Sequence, residues 1–158
     1  MLSRDTTAGE GSSLFHTELG VFGGLVCFDS IYPALARESV RDGAEILLLS
    51  TDDSWFDGSF GKSLHLRHAA LRAVENGRTV VRTGNTGVSA VIDGHGEILT
   101  SLPLDTRAHG IAAVRPERET TLYTRMGDVF VFLTLGFLVT VPPLTLWTRK
   151  RKGTLQKG

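Results

Sequence analysis

The segment "GGLVCFDSIYP", residues 23–33, runs from an apolar, strand-like stretch into a proline that can open a helix. The only cysteine of the chain, Cys27, stands at the junction, followed by Phe28 and Asp29. A free cysteine on a sheet is most often a small buried hydrophobe. A cysteine at a strand-to-helix turn is also well placed as a nucleophile, because the backbone N–H groups after it face a developing negative charge. The local pattern suits both readings equally.

Working outward, "LGVFGGLVCF" reads as a buried strand ending near Cys27, and "PALARESVRDG" as a helix reaching about Asp42 and closed by Gly43. "AEILLLS" is a continuous apolar run of buried-strand length. "TDDSWFDGS" is a polar loop holding Trp55. A second helix is predicted from Gly61 to a stop near Gly77, with Leu64, His68, Leu71 and Val74 on one face. "TVVRT" and "VSAVID" are short strands around the turn "GNTG", and "DGHG" joins the latter to "EILTSL" as a hairpin. "GIAAVRP" is expected as a last strand, and "ETTLYTRMGD" as a linker. Alternation of strands and helices followed by a meander implies a mixed α/β domain around one sheet.

The chain has 158 residues, enough for one domain with its own core. Its 17 basic and 17 acidic residues balance, so composition gives no sign of a nucleic-acid partner. One cysteine excludes an internal disulfide framework and any cysteine-rich metal site. The stretch "MLSRDTTAGEGSS" is polar, without the apolar core of a signal peptide.

From Val129 to Trp147 the chain reads "VFVFLTLGFLVTVPPLTLW", uncharged throughout. As a helix these 19 residues span about 28 Å, close to the apolar thickness of a bilayer. Pro142 and Pro143 are better tolerated in a membrane helix than in a soluble one, and Trp147 suits an interfacial anchor. A buried core helix is the competing reading. The basic cluster that follows, Arg149, Lys150, Arg151, Lys152 and Lys157, favours the span and places the C-terminus in the cytoplasm. The domain before Val129 is then expected on the outer side of the membrane, where Cys27 is an unpaired thiol in a disulfide-permissive compartment.

Other chemistry-bearing residues read as structural. His65 and His68 have helical spacing but no third metal ligand and no HExxH pattern. Asp52 and Asp53 sit among Ser50, Thr51 and Ser54, where turn and cap duty is the default. His16, His95 and His109 fall in a loop, a turn and a strand start. Arg72, Glu75 and Arg78 are candidates for ordinary ion pairs.

The segments "TAGE", "LVCFDSIYPALARESVRDGAEILLLSTDDSWF", "HLRHAALRAVENGRTVVRTGNTGVSAVIDGHGEIL" and "TLYTRMGD", in that order, resemble the nitrilase (carbon–nitrogen hydrolase) superfamily. Within it they look like the apolipoprotein N-acyltransferases, a branch marked by membrane helices. The resemblance runs from about Thr7 through the apolar tract. It implies an α/β fold, the C-terminal part of a nitrilase-type αββα sandwich, followed by one transmembrane helix. The corresponding divisions are residues 1–122 for the partial domain, 123–128 for a linker, 129–147 for the membrane helix and 148–158 for a basic cytoplasmic tail.

The resemblance also implies roles. The cysteine matching Cys27 takes an acyl chain from a phospholipid as a thioester, then passes it to the N-terminal amine of an apolipoprotein. The backbone N–H of Phe28 would help to hold the oxyanion. Asp29, Trp55 and Asn85 would line the substrate site, although family members often have tyrosine and glutamate where this chain has Phe28 and Asp29. No metal and no cofactor are expected. The implied partners are a phospholipid acyl donor, an apolipoprotein acceptor, the inner membrane of a bacterium, and a missing N-terminal half.

The family's triad is Glu–Lys–Cys, with both partners before the cysteine. No lysine precedes Cys27, and neither Glu10 nor Glu18 matches the base position. The expectation is that these residues alone are inactive, as a truncated, split or decayed acyltransferase. The competing expectations are a small-substrate amidase or nitrilase, and a membrane-tethered protein without turnover.

Overall fold

A computed structural model describes Gly9, residues 11–56 and residues 60–141. Glu10, the two prolines and Trp147 of the apolar tract, and the basic tail lie outside the described residues. The chain divides into two compact units, Met1–Arg125 and Met126–Gly158.

The first unit is built on a six-stranded sheet of order β1-β2-β3-β4-β5-β6. Strands β1 (Ser13–Thr17) and β2 (Gly20–Val26) form an antiparallel hairpin. Strands β2, β3 (Ile46–Thr51) and β4 (Thr79–Gly84) are parallel. Parallel neighbours need crossovers, and two helices supply them: α1 (Pro33–Arg41) after β2 and α2 (Gly61–Asn76) after β3. Strands β5 (Ala90–Ile92) and β6 (Ile98–Ser101) complete the sheet as antiparallel neighbours.

Local sequence explains the boundaries. Pro33 occupies the first turn of α1, where its missing N–H costs no hydrogen bond. Gly77 ends α2 at φ +60, a left-handed conformation that glycine adopts without a Cβ clash. In the β5–β6 turn, Asp93 Oδ1 accepts the N–H groups of His95 and Glu97, which closes "DGHG" as expected.

One face of the sheet is packed. Leu25, Leu47, Leu49, Val80, Ala90 and Ile92 meet Ala36 and Val40 of α1 and Ala69 and Ala73 of α2 in one buried cluster. The small residues on both helices allow close approach to the strands. The other face carries Phe22, Leu48, Val81 and Val91, all half-buried, with Phe15 at 54% exposure opposite Phe22. That face is apolar and only partly covered.

Three expectations need correction. Residues 13–17, expected to be loop, form β1, so His16 stands on a strand. Residues 110–116, expected as a strand, pair with nothing in the sheet. They start beside Leu102 and end with Pro116 against Gly20, and Glu117 N–H donates to the Glu45 carbonyl. The segment crosses the strands instead of running along one, so it cannot join the ladder. On α2 the buried positions are His65, Ala69, Arg72, Ala73 and Asn76, while Leu64, Leu71 and Val74 are about half exposed. The face that carries Leu64, Leu71 and Val74 is therefore the outer one.

Past β6 the chain is fastened by polar contacts. Arg78, buried, donates to the carbonyls of Ala44 and Glu119. Arg37 donates to the carbonyls of Tyr123 and Arg125. Thr124 Oγ1 donates to Asn76 Oδ1 at 3.0 Å. The stretch read as a linker accordingly begins inside α3 (Leu122–Met126), which is held against the end of α2.

In the second unit, residues 129–141 are helical up to the limit of description. Phe130, Phe132, Leu133, Phe137 and Val139 are each more than 60% exposed. Among the described residues no helix is long and apolar enough to cross a membrane. Six of the nineteen residues of the predicted span lie beyond them.

Candidate active site

Strand β2 ends at Val26, and Cys27 opens a five-residue 3-10 turn, Cys27–Ile31. Cys27 has φ +50, one of two non-glycine residues with positive φ among the described ones. A side chain in that conformation brings its Cβ against the backbone, so surrounding contacts must hold it there. The residue is half-buried, with Sγ 4.0 Å from the carbonyl oxygen of Asp52. It is not sealed in the core.

The turn is capped by Asp29, whose Oδ2 accepts the Val26 N–H at 2.8 Å. This carboxylate is thus engaged with backbone beside the thiol. The N–H of Phe28 lies in the first turn of the 3-10 segment, where no preceding turn supplies an acceptor. The Phe28 ring, half-exposed, sits 6.1 Å from that of Phe56 and 6.0 Å from His65.

Beneath the turn lies a buried polar chain. Asp53 is fully buried, and its Oδ2 is paired with Arg82 Nη2. Its Oδ1 accepts from Thr51 Oγ1 at 2.9 Å and from His65 Nδ1 at 2.7 Å. On the other side of the ring, His65 Nε2 lies 2.9 Å from Ser30 Oγ and 3.1 Å from the carbonyl oxygen of Cys27. Ser30 Oγ also donates to that carbonyl at 3.0 Å. Burial pushes the Arg82 guanidinium below the usual arginine value, and the Asp53 carboxylate opposes the shift. An unbroken set of contacts therefore runs from β4 through the β3–α2 loop and α2 to the backbone of Cys27.

The turn "GNTG" closes over this chain. A Cβ on Gly87 would overlap the Asp53 carboxylate, so only glycine lets the turn lie so close. Asn85 bonds Asp52, and Thr86 Oγ1 donates to Asp52 Oδ1 at 3.3 Å. Asp52 caps Ser54 N–H at 3.0 Å, and that bond is the main cause holding its carboxyl below the usual range. Asn85 is thereby tied to the residue whose carbonyl lies against the Cys27 sulfur. Trp55 is 85% exposed on the 3-10 turn Ser54–Phe56.

Sequence reasoning gave Asp52 and Asp53 one role and treated His65 as an ordinary helix-face residue. Asp52 does cap a turn; Asp53 and His65 are interior. The missed signal was Arg82. It shares a strand face with Val80, and an arginine facing a core requires a buried acceptor. The expected Arg72–Glu75 pair is present at 2.9 Å, whereas Arg78 bonds carbonyls. His68 is held below the usual histidine value by burial, then by Arg72 and His65. Among the described residues no three potential ligands gather to hold a metal.

Residues 3–123 match the family model described as "Carbon-nitrogen hydrolase". The apolipoprotein N-acyltransferase of Thermotoga maritima is 34% identical over 133 residues, 84% of this chain and 26% of that protein. That of Geobacter metallireducens is 38% identical over 128 residues, 81% and 25% respectively. The chain thus spans about a quarter of the length of these curated relatives. Among solved structures, the Nesterenkonia AN1 amidase from the nitrilase superfamily superposes with TM-score 0.54 at 22% identity. The overlap is 63% of this chain and 40% of the amidase, and it shows a shared mixed α/β fold.

Proposed function

The chain belongs to the carbon–nitrogen hydrolase family, and from that membership we propose that it is the C-terminal part of an apolipoprotein N-acyltransferase. In this reading Cys27 is the nucleophile. The observation that carries it is the strained backbone of Cys27, at φ +50, with the residue half-buried at the end of the parallel strand β2.

The Cys27 thiolate attacks the ester carbonyl of a phospholipid acyl chain, and the resulting oxyanion takes a hydrogen bond from the Phe28 N–H. The ester C–O bond breaks, a lysophospholipid leaves with a proton, and the acyl group remains as a Cys27 thioester. The N-terminal amine of an apolipoprotein then attacks. The C–S bond breaks, the thiolate is restored and the new amide nitrogen gives up a proton. Asp29, Trp55 and Asn85 are proposed to flank the substrates: Trp55 is freely accessible, and Asn85 lines a groove with Thr86 and Arg107.

A free thiol has a pKa near 8.5 and is mostly protonated at neutral pH. Within these residues the only lysine outside the C-terminal tail is Lys62, which pairs with Asp105 at 3.4 Å. The glutamate and lysine that activate the thiol are therefore proposed to come from further N-terminal sequence, and the isolated segment to be inactive. The partly covered sheet face of Phe15, Phe22 and Leu48 supports a second half of the sandwich packed there.

Residues 129–147 are proposed as a membrane helix in a bacterial inner membrane, with the domain outside and residues 148–158 in the cytoplasm. The described turns of this segment, apolar and exposed on all sides, support that placement. The test is acylation of an apolipoprotein N-terminal amine by the chain combined with an N-terminal portion carrying the glutamate and lysine. Transfer that needs both pieces and disappears in Cys27→Ala supports the proposal. Transfer unaffected by Cys27→Ala rules it out.

A further inference from the structure

We propose that His65 is a positioning residue for the oxyanion donor: anchored by Asp53 and Arg82, it grips the carbonyl of Cys27 and so aims the Phe28 N–H. The inference rests on Cys27 being the acyl-accepting nucleophile.

The Cys27 carbonyl and the Phe28 N–H belong to one planar trans peptide unit, so their bonds point in opposite directions. Fixing one end fixes the other. The carbonyl end is held inside the protein by Ser30 Oγ at 3.0 Å and His65 Nε2 at 3.1 Å. The Phe28 N–H must then point the opposite way, away from the buried ring. A carbonyl oxygen only accepts, so in this proposal Nε2 is the donor across the 3.1 Å contact. Asp53 Oδ1 holds the Nδ1 edge of the ring from the far side at 2.7 Å.

The anchor is rigid. His65 is 2% exposed, Asp53 0% and Arg82 1%, and Arg82 is fixed in turn by donating to the Val88 carbonyl at 3.1 Å. His65, Asp53 and Arg82 do not touch the reacting atoms; they act through the peptide plane alone. Donation to the carbonyl also polarises the amide and strengthens its N–H as a donor.

The test compares His65→Gln with His65→Asn in the full chain. The glutamine amide reaches the position of Nε2 and can still donate to the Cys27 carbonyl. The asparagine amide reaches only the position of Nδ1, keeping Asp53 satisfied and leaving the carbonyl ungripped. Because the chain has one cysteine, [1-13C]cysteine labels a single backbone carbonyl. Its infrared amide band should match the unsubstituted chain in His65→Gln and move to higher frequency in His65→Asn. With the N-terminal portion supplied, acylation of Cys27 at saturating phospholipid should fall about three- to tenfold in His65→Asn, the ratio of one ordinary hydrogen bond, with KM unchanged. His65→Gln should keep most of the rate. Equal rates in the two variants, or an unmoved carbonyl band in His65→Asn, would overturn the inference. If the unsubstituted chain is never acylated, the proposed function is lost, and the carbonyl band still decides whether His65 holds Cys27.

Discussion

Gly87 packs against Asp53 so closely that a Cβ on the glycine would overlap the carboxylate. Asp53 cannot move aside, because Arg82, Thr51 and His65 hold both of its oxygens. Gly87→Ala should therefore destabilise the domain by about 1–3 kcal/mol, as overpacking does in a tight core. Chemical unfolding in detergent measures this, and a neutral result would mean that the turn lies further from Asp53.

Two adjacent acids should respond very differently to truncation. Asp53→Ala leaves the Arg82 guanidinium buried without its counter-charge, and loss of one partner of such a pair costs about 3–5 kcal/mol. Asp52→Ala removes an exposed cap, and its effect on the unfolding midpoint should be much smaller. Similar midpoints for the two variants would contradict the buried chain.

The left-handed backbone at Cys27 predicts an inversion of the usual ranking of glycine and alanine. Cys27→Gly and Cys27→Ala both remove the thiol, but only glycine relieves the Cβ clash at φ +50. Relief of about 1–2 kcal/mol exceeds the extra entropy that glycine loses on folding, about 0.5–1 kcal/mol. Cys27→Gly should then unfold at higher denaturant than Cys27→Ala. The reverse order would mean that the cysteine is unstrained.

Acid should weaken one clasp of the fold. Glu45 accepts the Val21 N–H and then pairs with Arg118, and these bonds hold its carboxyl below the usual 4.5. The folded pKa is lower than the unfolded one, so the contribution is present above pH 4.5 and fades as pH falls through the folded value. Glu45→Gln should flatten that acid limb and leave the pH dependence above 4.5 unchanged. An equally steep limb in the variant would assign the acid sensitivity to other carboxylates.

The strand–Cys27–helix junction and the strands β2, β3 and β4 were legible in the sequence, because continuous apolar runs such as "AEILLLS" can only be buried strands or helix cores, and their length decides. The family resemblance rested on the same segments. What stayed hidden was polar and interior. On α2 the leucines at 64 and 71 outweighed the alanines at 69 and 73, so the helix was turned the wrong way and His65 was left outside. A narrow gap between helix and sheet selects small residues, which carry little hydrophobic signal. β1 was hidden for a related reason: an edge strand with a mostly solvated pattern looks like a loop. Residues 110–116 have strand chemistry without a partner, and pairing is not written in the segment itself.

The central claim is that Cys27 carries the acyl group. The most direct measurement is mass spectrometry of the chain after brief exposure to a phospholipid of known acyl length, with the N-terminal portion present and no acceptor amine. The account predicts an acyl-mass adduct on the peptide containing Cys27, labile to hydroxylamine, and none on the chain alone. An adduct on any other residue, or the same adduct on Cys27 without the added portion, would contradict it.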